Sequence, residues 1–232
     1  MLSVPIYLSI TFILTTLLTL YLFHQMIARS NKPSPASVIA GILAVVLILQ
    51  GVLAYIGFYS SQLNMMPPRL MIFGALPNLI VILILFWTKW GRDFIDGFRF
   101  YDLTMLSIVR IPVELCLYGL ALHKAVPELM SFAGRNFDIF AGITAPLVVY
   151  FMIKKPKAKR MILWIWNVIG VILLLNIIVH AILSAPFLIQ QMAFDQPNVA
   201  VLHFPFIWLP VFVAPLVLLT HFISIRKLLY SA

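Results

Sequence analysis

Arg110 and Glu114 stand four residues apart inside the apolar run LTMLSIVRIPVELCLYGLALH, residues 103–123. A run of that length is a candidate membrane span, and the pair falls near its midpoint. An ionisable side chain at that depth costs roughly 3 kcal/mol or more unless it is paired or hydrated, so it marks a functional site. The i, i+4 spacing puts both groups on one helix face. Arg110 suits an anion or a counter-ion, and Glu114 suits a proton or a ligand contact. Pro112 between them frees a backbone carbonyl near residue 108 that is available to the same network.

Other polar residues fall at similar depth. Asn78 lies near the middle of its apolar run, and Gln50 and Asn176 lie slightly outward in theirs. These five residues come from four runs and form one candidate layer, since polar groups in lipid face each other or water. His180 and Ser184 follow Asn176 at intervals of four, a polar stripe leading outward. The candidate ligand-binding set is therefore Arg110, Glu114, Asn78, Gln50, Asn176 and His180. The alternative is an intrahelical Arg110–Glu114 salt bridge that locks a bundle with amide partners. No catalytic residue is assigned.

His123, His180 and His203 belong to the outer half. A metal site needs three or four ligands converging at about 2 Å, and nothing in their spacing converges. No metal and no cofactor is expected. Asn136 and Asp138 suit a helix cap and a first-turn acid. Asp93, Asp96 and Asp102 sit among aromatics in an amphipathic interfacial loop. His24 and His221 fall near the inner ends of their runs, at the interface.

The elements that position these residues are seven apolar runs, at about 4–23, 37–58, 70–89, 103–123, 137–153, 161–184 and 205–225. Hydrophobic residues make up 63% of the chain and charged ones 10%, with a mean hydropathy of +1.07. A soluble domain carries more than twice that charge. The runs are continuous rather than alternating, which points to helices and not a barrel. The expected fold is an all-α, seven-transmembrane-helix bundle, with residues 1–232 as a single transmembrane domain. Breakers separate the runs, among them Pro33, Pro35, Pro67, Pro68 and Pro156. Pro77, Pro146, Pro210 and Pro215 lie within runs and mark kinks.

The net charge of +9 does not point to nucleic acid, because of where the charge lies. Twelve of the sixteen Lys and Arg residues fall in the first, third and fifth connections and the C-terminal end. Three fall in the alternate connections, and Arg110 is the sixteenth. That asymmetry places the N-terminus outside and the C-terminus in the cytoplasm, in the cell (cytoplasmic) membrane. Trp87, Trp90, Trp164, Trp166 and Trp208 fall at aromatic-belt positions. The expected partners are membrane lipids and a small polar or anionic ligand.

Absences narrow the function. No lysine lies mid-depth in the last run, which argues against a retinal Schiff base. The Pro-Gln pairs of seven-helix sugar transporters are missing, with Pro77-Asn78 the nearest. The paired histidines of seven-helix zinc hydrolases are missing too. No phosphate-binding loop, H-E-x-x-H or G-x-S-x-G pattern occurs. The reading that remains is a carrier or ligand-binding protein with a mid-membrane polar site. Its alternatives are a membrane-embedded enzyme acting on a lipid-like substrate, with His180 and Glu114 as acid and base, or a receptor or scaffold whose polar layer is structural.

The charge asymmetry makes a direct prediction. A cysteine introduced near Lys157 in intact cells is expected to resist a membrane-impermeant maleimide, and one within 185–204 to react. The reverse labelling pattern would refute the orientation.

Overall fold

The computed structural model describes residues 3–32 and 34–230. Pro33, one of the expected breakers, lies outside the described residues. Among the described residues nine α-helices make up most of the chain: α1 Ile6–Ala28, α2 Ala36–Tyr55, α3 Leu76–Trp87, α4 Lys89–Asp96, α5 Phe100–Met105, α6 Arg110–Leu122, α7 Ile139–Lys154, α8 Lys159–Ser184 and α9 Ala214–Tyr230. No strand occurs among the described residues. Each of the seven apolar runs is helical, but they are not equivalent. Five helical stretches are long and apolar enough to cross a membrane: Ile6–Ala28, Ala36–Tyr55, Phe100–Leu122, Pro156–Ser184 and Leu209–Tyr230. A sixth is added if Met71–Trp87 and Lys89–Asp96, bent by 88°, form one broken span. Helix α7 has only 16 residues, or about 24 Å at 1.5 Å per residue.

Proline explains the irregular turns. The proline ring clashes with the carbonyl four residues back, and its nitrogen has no hydrogen for it. Pro77 and Pro215 each follow a five-residue π-helical turn, Met71–Ala75 and Leu209–Val213 respectively. The carbonyls concerned, those of Phe73 and Val211, sit at the centres of these wider turns. Both find side-chain donors. Gln50 Nε2 donates to Phe73 O at 3.0 Å, and Asn78 Nδ2 donates to Val211 O at 3.0 Å and to Gly74 O at 2.7 Å. The two π turns face each other, so closely that a Cβ on Gly74 would lie 2.9 Å from Val211. Ahead of Pro112 the helix instead tightens into a 3₁₀ turn, Leu106–Val109.

Two stretches without an α-helix fold inward, each with one 3₁₀ turn, Glu128–Met130 and Ala200–Leu202. In 123–138, Val126, Ser131 and Asn136 are buried, as are Asn198, Ala200 and Leu202 in the long connection after α8. The stretches are tied together. Ala125 O accepts from the backbone N–H groups of Val199 and Ala200, and Gln196 Nε2 donates to Val126 O at 2.5 Å. Non-helical backbone is tolerated at membrane depth where protein satisfies it in this way.

The opposite end of the bundle gathers the charged loops. Lys32 pairs with Asp93, Arg29 with Asp102 and Arg226 with Asp96, at 2.8–3.4 Å. Lys159 and Lys227 lie over the Phe100 ring at 5.5 and 5.7 Å. The interfacial acids of the third connection are thus the counter-charges of the other basic segments. Trp166 departs from the belt. It is buried, donates to Thr144 Oγ1 at 3.0 Å and packs on His221.

Asn78→Leu removes the donor for two buried-side carbonyls and is expected to lower stability by about 1–3 kcal/mol. Adding Pro215→Ala returns an N–H near Val211 O and should recover part of that loss. Melting of the purified single and double variants in detergent would check this, and an unchanged midpoint for Asn78→Leu would refute the role.

Candidate functional site

The charged cluster is built around Arg110, half-way along the Phe100–Leu122 span and 2% exposed. Its partner is not Glu114. Nη1 of Arg110 lies 3.1 Å from Asp138 Oδ1 at the start of α7. The alignment is that of an ion pair rather than a hydrogen bond, since neither atom makes one. Nη2 contacts Gly170 O of α8 at 3.4 Å and Nε2 of His221 in α9 at 3.0 Å. Three elements thus converge on one guanidinium.

This geometry sets the histidine tautomer. A guanidinium only donates, so Nε2 of His221 must accept, and the ring hydrogen sits on Nδ1. Nδ1 then donates to Asn167 Oδ1 at 2.8 Å, and Asn167 Nδ2 donates to Leu163 O at 2.8 Å. The chain Arg110–His221–Asn167–Leu163 runs in one donor direction with a neutral imidazole. Gly170 makes room for it, because a Cβ there would collide with the His221 ring.

Glu114 is 1% exposed and one turn along α6. Its Oε1 accepts from Asn136 Nδ2 at 2.5 Å, and Asn136 also donates to Met130 O at 3.0 Å. Oε2 has no hydrogen-bond partner among the described residues. The inward fold of 123–138 delivers both Asn136 and Asp138. Helix α7 therefore begins beside the middle of the neighbouring span rather than at its end. Gly142, one turn in, approaches Ile111 and Ser107 closely.

Beside this cluster lies a cavity of about 550 Å³. Asn78, Leu79 and Ile82 of α3 line one side, and Val113 and Leu117 of α6 with Leu174, Ile178 and Ala181 of α8 the other. The π turn Leu209–Val213 and α9 form the back, and Arg110, Glu114, Asp138 and Asn198 supply the charged and polar lining with Asn78. Helix α3 packs chiefly against α4 and its own π turn, with at most sparse contact to α6 or α8. The cavity is thus a cleft between α3 and the rest.

Of the six residues singled out in the sequence, the structure brings Arg110, Glu114 and Asn78 to one cavity. Gln50 is elsewhere, holding Phe73 O and accepting from the hydroxyl of Tyr59. Burial pushes the Tyr59 phenol up to about 12, against the pull of Gln50, so it remains a donor. Asn176 anchors the inward loop through Arg135 O at 2.9 Å, and His180 Nδ1 turns back to Asn176 O at 2.7 Å. Sequence reasoning missed Asp138, Asn136, His221 and Asn167. His221 was misplaced in depth because the last helix runs to Tyr230 rather than 225, so it falls near mid-span. Among the described residues no group of three or more His, Cys, Asp or Glu is placed to hold a metal ion.

The fold and cluster define a class, a polytopic helical membrane protein with a charged network at mid-span. Residues 66–229 match the family described as "Domain of unknown function (DUF8737)", and the chain belongs to that family. The match takes in every residue of the cluster and of the cavity wall, and begins after α1 and α2. No curated protein and no solved structure matches the chain.

Removing one member of the Arg110–Asp138 couple leaves a lone buried charge, so Arg110→Leu and Asp138→Leu are each expected to cost about 3–5 kcal/mol. Arg110→Leu with Asp138→Leu should cost less than the two singles summed, whereas Arg110→Leu with Glu114→Leu should gain no such relief. Thermal melting of the four variants separates the two pairings. Relief only in the Glu114 double would restore the intrahelical pair.

Proposed function

We propose that this protein is a carrier or ligand-binding protein of the cell membrane whose ligand is amphipathic. Its apolar body lies in the cleft beside α3, and its polar head reaches the Arg110–Asp138–Glu114 cluster. The observation that carries this reading is the 550 Å³ cavity, apolar along its walls and ending on buried ionisable groups. Cavities of 300–1,000 Å³ with a few convergent polar groups are the usual form of a small-molecule site. A purely structural polar layer would have no reason to border a cavity of this size. The sparse packing of α3 supports access from the lipid side, which suits a molecule already dissolved in the bilayer.

On this reading the chain is one transmembrane domain crossing seven times. The bent α3–α4 pair is one crossing, and α7 completes another with the inward loop before it. The N-terminus is outside, and the basic segment 154–160 is cytoplasmic. Gathering of the first, third and fifth connections and the C-terminal end at one face supports that orientation.

The test is melting of the purified protein with octyltrimethylammonium, octanol or octyl sulfate below their micellar concentrations. At least one should stabilise the wild type, by about 2.7 kcal/mol at a hundredfold excess over its Kd. Ala181→Trp, which fills the cleft, should melt normally without ligand and lose the response. A wild type indifferent to all three, or an Ala181→Trp variant that responds equally, would overturn the proposal.

A further inference from the structure

We propose that the ligand's head is cationic, an ammonium group on a hydrocarbon body, and that it binds at Glu114 in exchange for a proton. This rests on the amphiphile reading above and names the head group that the site selects.

The charge inventory is the first argument. One guanidinium, Arg110, faces two carboxylates, Asp138 and Glu114. Among the described residues the other titratable group at the cluster is His221, held neutral because its Nε2 accepts from Arg110. Arg110 is engaged by Asp138, Gly170 O and His221 together. Glu114 has no cation of its own. Its contacts are a neutral amide, Asn136, on one oxygen and no donor on the other. In a low-dielectric setting that surplus negative charge is neutralised by a proton or by a ligand's positive charge.

The second argument is the unsatisfied hydrogen-bonding capacity of the cavity wall. Glu114 Oε2, Asp138 Oδ1 and Asn198 Oδ1 are buried acceptors without hydrogen bonds, all on cavity-lining residues. The unpaired donors, Nε and Nη1, belong to the one residue Arg110, whose Nη1 already faces Asp138. Asp138 Oδ1 faces Arg110 Nη1, which leaves two open acceptors, on Glu114 and Asn198, against one open donor, Arg110 Nε, and that balance fits a head that donates or carries positive charge. An anionic head would add a third negative charge beside two carboxylates. The rest of the wall is apolar, mostly leucine, isoleucine, valine and alanine with Met71, Met130, Phe187, Pro210 and Pro215, which fits the ligand's hydrocarbon part and offers a hard inorganic cation no oxygen side chains.

The exchange balances. The O–H bond of Glu114 breaks, its proton passes to bulk water, and the carboxylate left behind pairs with the incoming cation. The groups facing Glu114 are Arg110 on its own helix, Asp138 and Asn136 from the start of α7, and, through Arg110, His221 of α9. Arg110 and Asp138 neutralise each other, so Glu114 is the group whose proton the ligand displaces. Acid favours the protonated form, so cation binding weakens as pH falls. The dependence approaches tenfold per pH unit once Glu114 is protonated in the free protein.

The experiment is calorimetric titration of the nanodisc-embedded protein with octyltrimethylammonium, octanol and octyl sulfate between pH 5.5 and 8.5, in two buffers of different ionisation enthalpy. The expected result is preferential binding of the cation, tightening with pH and releasing up to one proton. Octanol should bind without pH dependence, and octyl sulfate more weakly than either. Glu114→Gln should lose the proton release and weaken the cation at least tenfold. The wild-type pH slope and proton count decide the matter even if that variant does not fold. Octanol binding without a preference for the cation, or cation binding independent of pH, would overturn this inference while leaving the amphiphile reading intact. Failure of all three probes to bind would overturn both.

Discussion

A guanidinium at the centre of a membrane span must be satisfied by protein, and much of this structure follows from that. Arg110 draws three separate elements to one point. The start of α7 brings Asp138, α8 brings the Gly170 carbonyl, and α9 brings a histidine whose Nε2 must accept. Each has a structural consequence. Asp138 can reach Arg110 only if 123–138 folds inward and α7 starts half-way along its neighbour. The His221 ring fits only because α8 carries glycine at 170.

Proline supplies the second constraint, and the amides answer it. Pro77 and Pro215 each cancel a helical hydrogen bond, the backbone widens into a π turn four residues earlier, and an amide from elsewhere takes the freed carbonyl. Gln50 and Asn78 are therefore committed to the backbone, although Asn78 also borders the cavity. The two widened turns face each other and keep α3 and α9 from packing as straight rods. The cleft that the proposed ligand occupies lies against these turns, which is a recurrent location for π-helical segments at functional sites.

Polar side chains around the inward loops follow the same economy. Asn176, His180 and Ser184, the stripe visible at intervals of four, mostly satisfy local carbonyls and hold the inward loop. The two inward stretches, 123–138 and the connection before α9, close that end of the bundle through each other's backbone groups. Three ion pairs link the charged loops at the other end. Among the described residues Glu114 is the buried carboxylate without an ion pair. For that reason the proposed chemistry is assigned to it and not to the more conspicuous arginine.

By itself the sequence determined that the chain is all-helical with several segments apolar enough to span a membrane, where its helical segments fall, and that Arg110 and Glu114 stand inside one of them. Those are local properties, read from hydropathy, run length and the cost of a charge in lipid. Partner choice was beyond it. The i, i+4 spacing made an Arg110–Glu114 pair the natural reading, yet a residue 28 positions away captures the guanidinium. Nothing periodic marks 123–138 as an inward loop, so Asn136 and Asp138 looked like an ordinary helix start. A five-residue error at the end of the last helix was enough to move His221 from mid-span to the interface. Tertiary structure decided these matters because a buried charge is satisfied by whichever groups packing brings within about 3 Å, and packing is a property of the whole bundle rather than of any one helix.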